Sequence, residues 1–290
     1  MTLFARVTAE PFLRGGWIVL ATAGMLTTLA VGTVSVSSET AGTRQTAARS
    51  VQTAVALQST HVGLSTQIGV YRTATSDFSL RGVNGIIAVH YGVPGDRPIL
   101  GDWDGDSFDT LGVKRGNTYY LRNVNRAGSA DITFSYGRAT DTPVMGDWNG
   151  DGRDTIAVRR DNIFYVRNSL STGPADYRFS FGTSTDTALA GDWDADMFAT
   201  GGAFRTGTNK WYVMTGPGLV ASFSYGRPGD VALTGDWNGD THATVGVRRG
   251  STFYLTNSLS GGAANITANF GAPEDLPVAG HWDPPIATPD

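Results

Sequence analysis

The chain contains no cysteine among its 290 residues. This absence excludes a disulfide scaffold, thiolate catalysis and every metal site that needs a cysteine ligand. Basic residues are few and are not clustered, since 22 lysines and arginines stand against 26 acidic residues, for a formal charge of −4. Because a nucleic-acid-binding surface needs clustered positive charge, the sequence predicts no nucleic-acid partner.

Motifs of the common hydrolases and nucleotide-binding enzymes are also absent. The four histidines do not form a His-Glu-x-x-His metal motif, and there is no Gly-x-Ser-x-Gly or Gly-Lys-Ser/Thr motif. Pairs of acidic residues abound, but they recur at a regular interval, whereas a catalytic carboxylate pair should occur once. We therefore expect no enzymatic activity.

The N-terminal segment predicts export from the cytoplasm. Arg6 and Arg14 precede an apolar stretch of 13 residues, 17–29, which has the length of a signal-peptide core. Small residues follow at 30–32, so we predict a signal peptide over 1–32. Counted to Val36, the apolar stretch is 20 residues long, so an uncleaved membrane anchor reaching about residue 38 is the alternative. In both cases we expect a secreted or surface-anchored protein.

A compositional change divides the rest of the chain. Residues 33–66 are rich in Ser, Thr and Ala, which predicts a linker, with a weak helix possible over 46–58. Glycine is abundant after it, and the 38 glycines are about 13% of the chain against an ordinary ~7%. Such glycine content favours a turn-rich, all-β fold. We predict that this domain spans 67–283, with a tail over 284–290.

A repeat dominates this domain. Gly-Asp-Trp begins at positions 101, 146, 191 and 235, Gly-His-Trp begins at 280, and the intervals are 45, 45, 44 and 45 residues. Each repeat contains four short runs of β-forming residues separated by Gly, Asn, Asp and Pro; in the second repeat these runs are 142–148, 155–159, 163–168 and 177–181. Four strands in about 45 residues are typical of a β-propeller blade.

The two ends of the repeat array complement each other. Residues 69–100 contain three strands of a blade without its first strand, and 276–282 contain a first strand alone. We therefore predict a five-bladed β-propeller in which the last blade combines N-terminal and C-terminal strands, so that the ring leaves no open sheet end. The alternative is an open array of β-repeats, which would need distinct capping units instead of complementary fragments.

Closely spaced acidic residues follow each Gly-Asp-Trp. Short oxygen ligands at alternate positions of a tight loop are the arrangement with which proteins bind Ca²⁺, and crowded carboxylates repel one another without a cation. The alternative is a set of Asp/Asn/Gly turns without an ion. The third and fourth loops have Ala199 and Ala243 in place of the last acid, so weaker sites are expected there. The predicted ligands are Asp102, Asp104, Asp106 and Asp109; Asp147, Asn149, Asp151 and Asp154; Asp192, Asp194 and Asp196; and Asp236, Asn238 and Asp240.

These residues resemble the FG-GAP/VCBS repeat group, which includes the propellers of integrin α-subunit heads and repeats of secreted bacterial proteins. The shared pattern is an aromatic residue and glycine, as at Tyr136-Gly137, then the loop 146–152, then a β-strand at 156–158. Residues 270–273 read Phe-Gly-Ala-Pro. The resemblance covers about 69–283 and implies calcium in the loops and ligand recognition on a propeller face. The last loop acid comes one residue earlier than in the usual family loop, which would place this ligand differently.

The resemblance and the missing catalytic motifs favour a non-catalytic binding or adhesion module, expected to be a monomer. Its partner would be an extracellular protein or polysaccharide. We consider loops 123–130, 169–176 and 258–264 the first candidates for contact, because loops on rigid scaffolds commonly bind ligands. A carbohydrate-binding lectin with repeated pockets and a hydrolase with a site in the propeller channel are the alternatives. Recurring third-strand residues that could line such pockets, or merely pack, are Tyr119, Tyr165, Tyr212, Tyr254, Arg122 and Arg167.

Overall fold

The computed structural model describes residues 65–282. The predicted leader, the weak helix at 46–58, the tail and Asp283 lie outside this part, as does most of the predicted linker. The described residues form twenty β-strands and no α-helix. No helix in 65–282 is long and apolar enough to cross a membrane.

The strands form five separate sheets, each of four antiparallel strands. The composite blade contains β1 (Gln67–Arg72), β2 (Asp77–Gly82), β3 (Gly85–His90) and β20 (Leu276–Gly280). Blade 1 contains β4 (Arg97–Gly101), β5 (Thr110–Arg115), β6 (Thr118–Leu121) and β7 (Ile132–Ser135). Blade 2 contains β8 (Thr142–Gly146), β9 (Thr155–Arg160), β10 (Ile163–Arg167) and β11 (Tyr177–Ser180). Blade 3 contains β12 (Thr187–Gly191), β13 (Thr200–Arg205), β14 (Lys210–Met214) and β15 (Val220–Ser224). Blade 4 contains β16 (Val231–Gly235), β17 (Thr244–Arg249), β18 (Thr252–Leu255) and β19 (Ile266–Asn269).

The position of a strand within its blade explains its sequence pattern. The second strand lies between two others and packs against the neighbouring blades on both faces, so β9 is almost continuously buried over Thr155–Arg160. The third strand alternates, and in β10 (Ile163–Arg167) Phe164 and Val166 are buried. The outer strand is mostly exposed. In blade 2 the strands coincide with the sequence prediction to within two residues.

The first strands of the five blades contact one another in a closed cycle, β4–β8–β12–β16–β20. The ring closes in the composite blade, where β20 pairs with β1 from Gln67↔Gly280 to Tyr71↔Leu276. The fold is thus the predicted five-bladed β-propeller, closed by a C-terminal strand.

The hydrophobic core consists of five clusters, one at each interface between neighbouring blades. The tryptophan of each Gly-Asp-Trp fills one interface: Trp103 is 1% exposed and packs with Ile156 and Val158 of blade 2. The tryptophans therefore pack between blades and do not present a binding surface.

Candidate metal centres and central cavity

Each Asp-rich loop connects the first strand of a blade to the second. We call residues 102–109, 147–154, 192–199 and 236–243 loops 1 to 4. The first aspartate of each loop organises the backbone. In loop 1, Asp102 Oδ1 accepts the N–H groups of Gly105 and Asp106 at 2.7 and 3.1 Å, and Oδ2 accepts that of Ser107 at 2.7 Å. Asp147 and Asp236 accept the three corresponding N–H groups, and Asp192 accepts those of Asp196 and Met197.

The tight curl of these loops requires positive φ at two positions. In loop 2 glycines occupy both, with φ of 72° at Gly150 and 82° at Gly152. Ser107, Met197 and Thr241 stand at the second of these positions in the other loops, with φ of 73–74°. Side chains rarely adopt this conformation, so three loops hold local strain.

Loops 1 and 3 each bring three carboxylates together. One oxygen from each of Asp102, Asp104 and Asp106 lies within 4.8 Å of the others, and the same holds for Asp192, Asp194 and Asp196. Burial and the neighbouring carboxylates raise the pKa of Asp104, and burial above all raises that of Asp192. Asp194 Oδ1 is buried and has no hydrogen-bond partner among the described residues.

Loops 2 and 4 replace the middle carboxylate with an amide. Asn149 Nδ2 donates to Asp151 Oδ2 at 2.8 Å, and Asn238 Nδ2 donates to Asp240 Oδ2 at 2.9 Å. Burial alone would raise the pKa of Asp240, but these hydrogen bonds, including one from the N–H of His242, lower it. In loops 2 and 4 the carboxylates of Asp151 and Asp240 therefore already accept a hydrogen bond from the neighbouring amide.

The donor set of loops 1 and 3 fits Ca²⁺, which binds carboxylate, carbonyl and water oxygens. Asp194 Oδ1 is a buried acceptor without a donor, and a cation would satisfy it. Asn149 Oδ1 of loop 2 is also buried and unpartnered within the described chain. Asp102, Asp104 and Asp106 would hold an ion in loop 1, and Asp192, Asp194 and Asp196 would hold one in loop 3. A bound cation would neutralise the loop and fix its curvature.

The last acids of loops 1 and 2 face a neighbouring blade. Asp109 Oδ2 accepts the N–H of His281 at 2.6 Å, and Asp154 Oδ2 accepts the N–H of Asp102 at 3.1 Å. The structure thus does not group Asp109 with the three carboxylates of loop 1, and the Asp154 carboxylate bonds to blade 1 instead of to its own loop.

This contact recurs around the ring with different side chains. The last residue of each of loops 2 to 4 donates its N–H to the carbonyl of the first aspartate in the loop of the preceding blade. Ala199 donates to Asp147 and Ala243 donates to Asp192, both at 2.6 Å. A Cβ on Gly101 would meet Asp154 Oδ2 at 2.8 Å, and one on Gly280 would meet Asp109 Oδ2 at 2.7 Å. The glycine is therefore needed because the next blade approaches it closely.

The same residues line a central cavity of about 260 Å³ to which all five blades contribute. Asp109, Asp154, Asp147 and Asp192 are its acidic residues. Burial, with the Asp102 and Asp106 charges, raises the pKa of Asp109 to about 7, although the His281 N–H opposes the shift. Burial and the charge of Asp109 raise the pKa of Asp154 well above its usual value.

Because the pKa of Asp109 is raised to about 7, its ionisation opposes folding. The stability present while it is protonated is lost as pH rises from about 4 through about 7. Asp109→Asn keeps an acceptor for the N–H of His281 and removes the charge. We expect its thermal midpoint at pH 8 to exceed that of the wild type by about 5 °C, with little difference at pH 4.5.

Differential scanning fluorimetry at both pH values in chelator measures this difference, and a second pair of melts at pH 8 contains calcium. A lower midpoint for Asp109→Asn at pH 8 in calcium would instead identify Asp109 as a calcium ligand, as its sequence position predicts.

A fivefold arginine–aspartate pair, which the sequence analysis missed, holds the first two strands of every blade together. In blade 2, Asp141 is 1% exposed at its side chain and accepts Arg160 Nε at 2.9 Å and Nη2 at 2.7 Å, together with the N–H of Arg138. The 44–45-residue spacing of these aspartates was the available signal. The pairs are Asp96–Arg115, Asp141–Arg160, Asp186–Arg205, Asp230–Arg249 and Asp275–Arg72.

The recurring third-strand residues mostly serve packing. The rings of Tyr165, Tyr212 and Tyr254 lie under the guanidinium groups of these arginines at 4.8–4.9 Å. Tyr119 is fully buried, so Tyr120 takes the corresponding place in blade 1. Arg122 and Arg167 hold carbonyl groups of the loops that follow β6 and β10.

Comparison with known proteins adds no relative to this description. No protein-family model matches the chain, and no curated protein matches it. The architecture is compatible with a propeller-repeat family, and the fold is what the structure establishes.

Proposed function

We propose that the chain is an extracellular propeller of the FG-GAP/VCBS type, stabilised by calcium and acting as a non-catalytic binding or adhesion module. The observation that carries this proposal is the cluster of three carboxylates in loop 3, where Asp194 Oδ1 is buried without a partner. The strained backbone of the loops supports it further, because such strain is common at functional sites. Its partner would be an extracellular protein or polysaccharide.

The calcium part of the proposal predicts a large change in thermal stability. A site with a Kd of about 10 μM adds about 2.7 kcal/mol at about 1 mM calcium. Two such sites should raise the midpoint of the full chain by at least about 5 °C over its value in excess chelator. Calorimetry of the same protein with calcium gives the number of sites.

A matched variant separates ion binding from ordinary loop stability. Asp104→Ala with Asp194→Ala removes one carboxylate from each cluster and leaves the backbone contacts of Asp102 and Asp192 in place. We expect the double variant to lose most of the calcium increment and to match the wild type in chelator. An equal calcium increment in both proteins, or none in the wild type, would contradict the proposal.

A hydrolase with its site in the central cavity is the second candidate. Two cavity carboxyls with raised pKa values, Asp109 and Asp154, favour it, because such groups occur at catalytic sites. Both already accept main-chain N–H groups of a neighbouring blade, which supports a structural role for them. Turnover of nitrophenyl glycosides or esters that Asp109→Asn abolishes would replace the binding-module proposal with this one.

A further inference from the structure

The cleft between the composite blade and blade 1 contains a cavity of about 330 Å³. Tyr91, Val113 and Tyr120 form its apolar walls, His90 and Arg115 supply polar groups, and the small residues of the β6–β7 loop border it. A volume near 300 Å³ is at the small end of ligand sites, and mostly apolar walls with few polar groups are typical of them.

The β6–β7 loop, which borders the cavity, differs from its counterpart in blade 2 at two positions. Arg122 of blade 1 corresponds to Arg167 of blade 2. Counted from these arginines, Asn125 corresponds to Leu170 and Ala127 corresponds to Thr172. Leu170 packs against the core cluster at the preceding interface. Asn125 instead donates its amide to the carbonyl of Asp109 at 2.9 Å, and no residue of the β6–β7 loop belongs to the core cluster at the interface with the composite blade.

The second difference removes a hydroxyl. Thr172 Oγ1 accepts the N–H of Ser135, on the edge strand of the preceding blade, at 3.0 Å. In blade 4 the loop lies directly on that edge, since a Cβ on Gly261 would meet the carbonyl oxygen of Ser224 at 2.7 Å. Ala127 has no hydroxyl, so the corresponding place in the cleft of blade 1 is open.

The edge strand therefore presents a hydrogen-bond donor to the cavity. Tyr91 donates its N–H to the carbonyl of Ser76 at 2.9 Å. Because successive N–H groups of a strand point to opposite sides, the N–H of His90 points away from β2 and toward blade 1. This N–H corresponds to that of Ser135. Tyr91 is only 6% exposed, and its hydroxyl has no partner among residues 65–282.

The charges of the cleft favour a neutral ligand. Arg115 donates Nε and Nη2 to the buried carboxylate of Asp96, both at 2.8 Å. Its charge is therefore compensated, while Nη1 stays available for a hydrogen bond. An anion would gain little from a compensated charge, whereas a hydroxyl oxygen could accept hydrogen bonds from the N–H of His90 and from Nη1 of Arg115.

We propose that this cleft binds one neutral sugar residue, with a hydroxyl in the place that Thr172 Oγ1 occupies in blade 2. The C–H face of the sugar would lie on the aromatic walls. This inference names a ligand class for the proposed binding module and rests on that function. The proposed protein has one such sugar site and is not a lectin with equivalent pockets in every blade, because blades 2 and 4 close their clefts with their own loops.

The test uses the full chain in calcium and a panel of glucose, galactose, mannose, fucose, arabinose and N-acetylglucosamine. Saturation-transfer NMR should identify at least one binder, with 1:1 stoichiometry and a Kd of about 1 mM, as suits a ligand of about 12 non-hydrogen atoms. In amide spectra of the wild type, this sugar should shift the signals of His90 and Gly128. No binding by any sugar of the panel, or shifts confined to other blades, would overturn the inference.

The closing variant combines Asn125→Leu with Ala127→Thr and so copies the loop of blade 2. We expect at least about a tenfold loss of affinity, while Thr172→Ala in blade 2 leaves the affinity unchanged. Unaltered sugar binding by the closed variant would place the sugar elsewhere and overturn this site. The calcium-dependent melt tests the proposed function separately, so the two failures are distinguishable. If the closed variant does not fold, the amide shifts of the wild type decide alone.

Discussion

Deleting residues 276–290 should abolish cooperative unfolding and cause aggregation. The deletion removes β20, and with it five residue pairs with β1, from Gln67↔Gly280 to Tyr71↔Leu276. It also removes Val278 and Trp282, which are 7% and 2% exposed in the interface with blade 1. Burial of each large apolar side chain contributes about 1.5–3 kcal/mol, so the total loss is comparable with the stability of an ordinary domain.

The exposed edge explains the aggregation. Without β20, the N–H and C=O groups of β1 on that side have no partner, and the buried side chains of Ile68 and Val70 become accessible. A chain that ends after Trp282 is the control, because it keeps every contact of the strand. Light scattering and thermal melts compare the three proteins. A soluble monomer with an unchanged midpoint after the longer deletion would contradict closure by β20.

Asp141→Ala should destabilise the protein by about 2–4 kcal/mol. The variant leaves the guanidinium of Arg160 and the N–H of Arg138 without their acceptor at a buried position. Asp77→Ala is the control, since the side chains of Asp77 and its partner His90 are 46% and 65% exposed and the change should cost under about 1 kcal/mol. Urea unfolding of both variants gives the free energies. Equal losses would mean that the fivefold pair contributes no more than a surface ion pair.

These pairs also determine the response to acid. Burial opposes ionisation of Asp141, Asp186 and Asp275, but the arginines and the main-chain N–H groups outweigh it and lower each pKa. Their stabilisation is therefore present above pH ~4 and is lost as pH falls below that value. Asp109 and Asp154 have raised pKa values, so their contribution to stability is lost as pH rises instead of as it falls. We therefore expect the stability of the protein in chelator to be maximal near pH 5.

The fold could be predicted from the sequence because its signal repeats. The spacing of Gly-Asp-Trp gave the size of a blade, and the complementary fragments at 69–100 and 276–282 gave both the number of blades and the closing strand. Most strands begin directly after Gly, Asn or Asp, which is a local signal. The repeat, its two incomplete ends and the turns can all be recognised in a single sequence.

The sites were less predictable because they depend on contacts between blades. Asp109 follows its loop partners closely in sequence, yet its carboxylate bonds to His281, 172 residues away. The sequence analysis selected the loop 123–130 as a candidate for ligand contact, but it did not identify the cleft beside Tyr91 that this loop borders. A comparison of the repeats position by position could have revealed Asn125 and Ala127, but not the cavity that their loop borders.

The closing strand also determines how the ring would bear a tensile load. Gln67, at the start of β1, lies opposite Gly280, at the end of β20, so the chain enters and leaves the ring side by side. Tension between these two ends would break the pairs of β1 and β20 one after another, starting at Gln67, instead of shearing all five together. A load between the entering chain and a ligand held by another blade would instead pass through the packed interfaces. The ring should therefore be mechanically weak between its own ends and strong between a tether and its ligand.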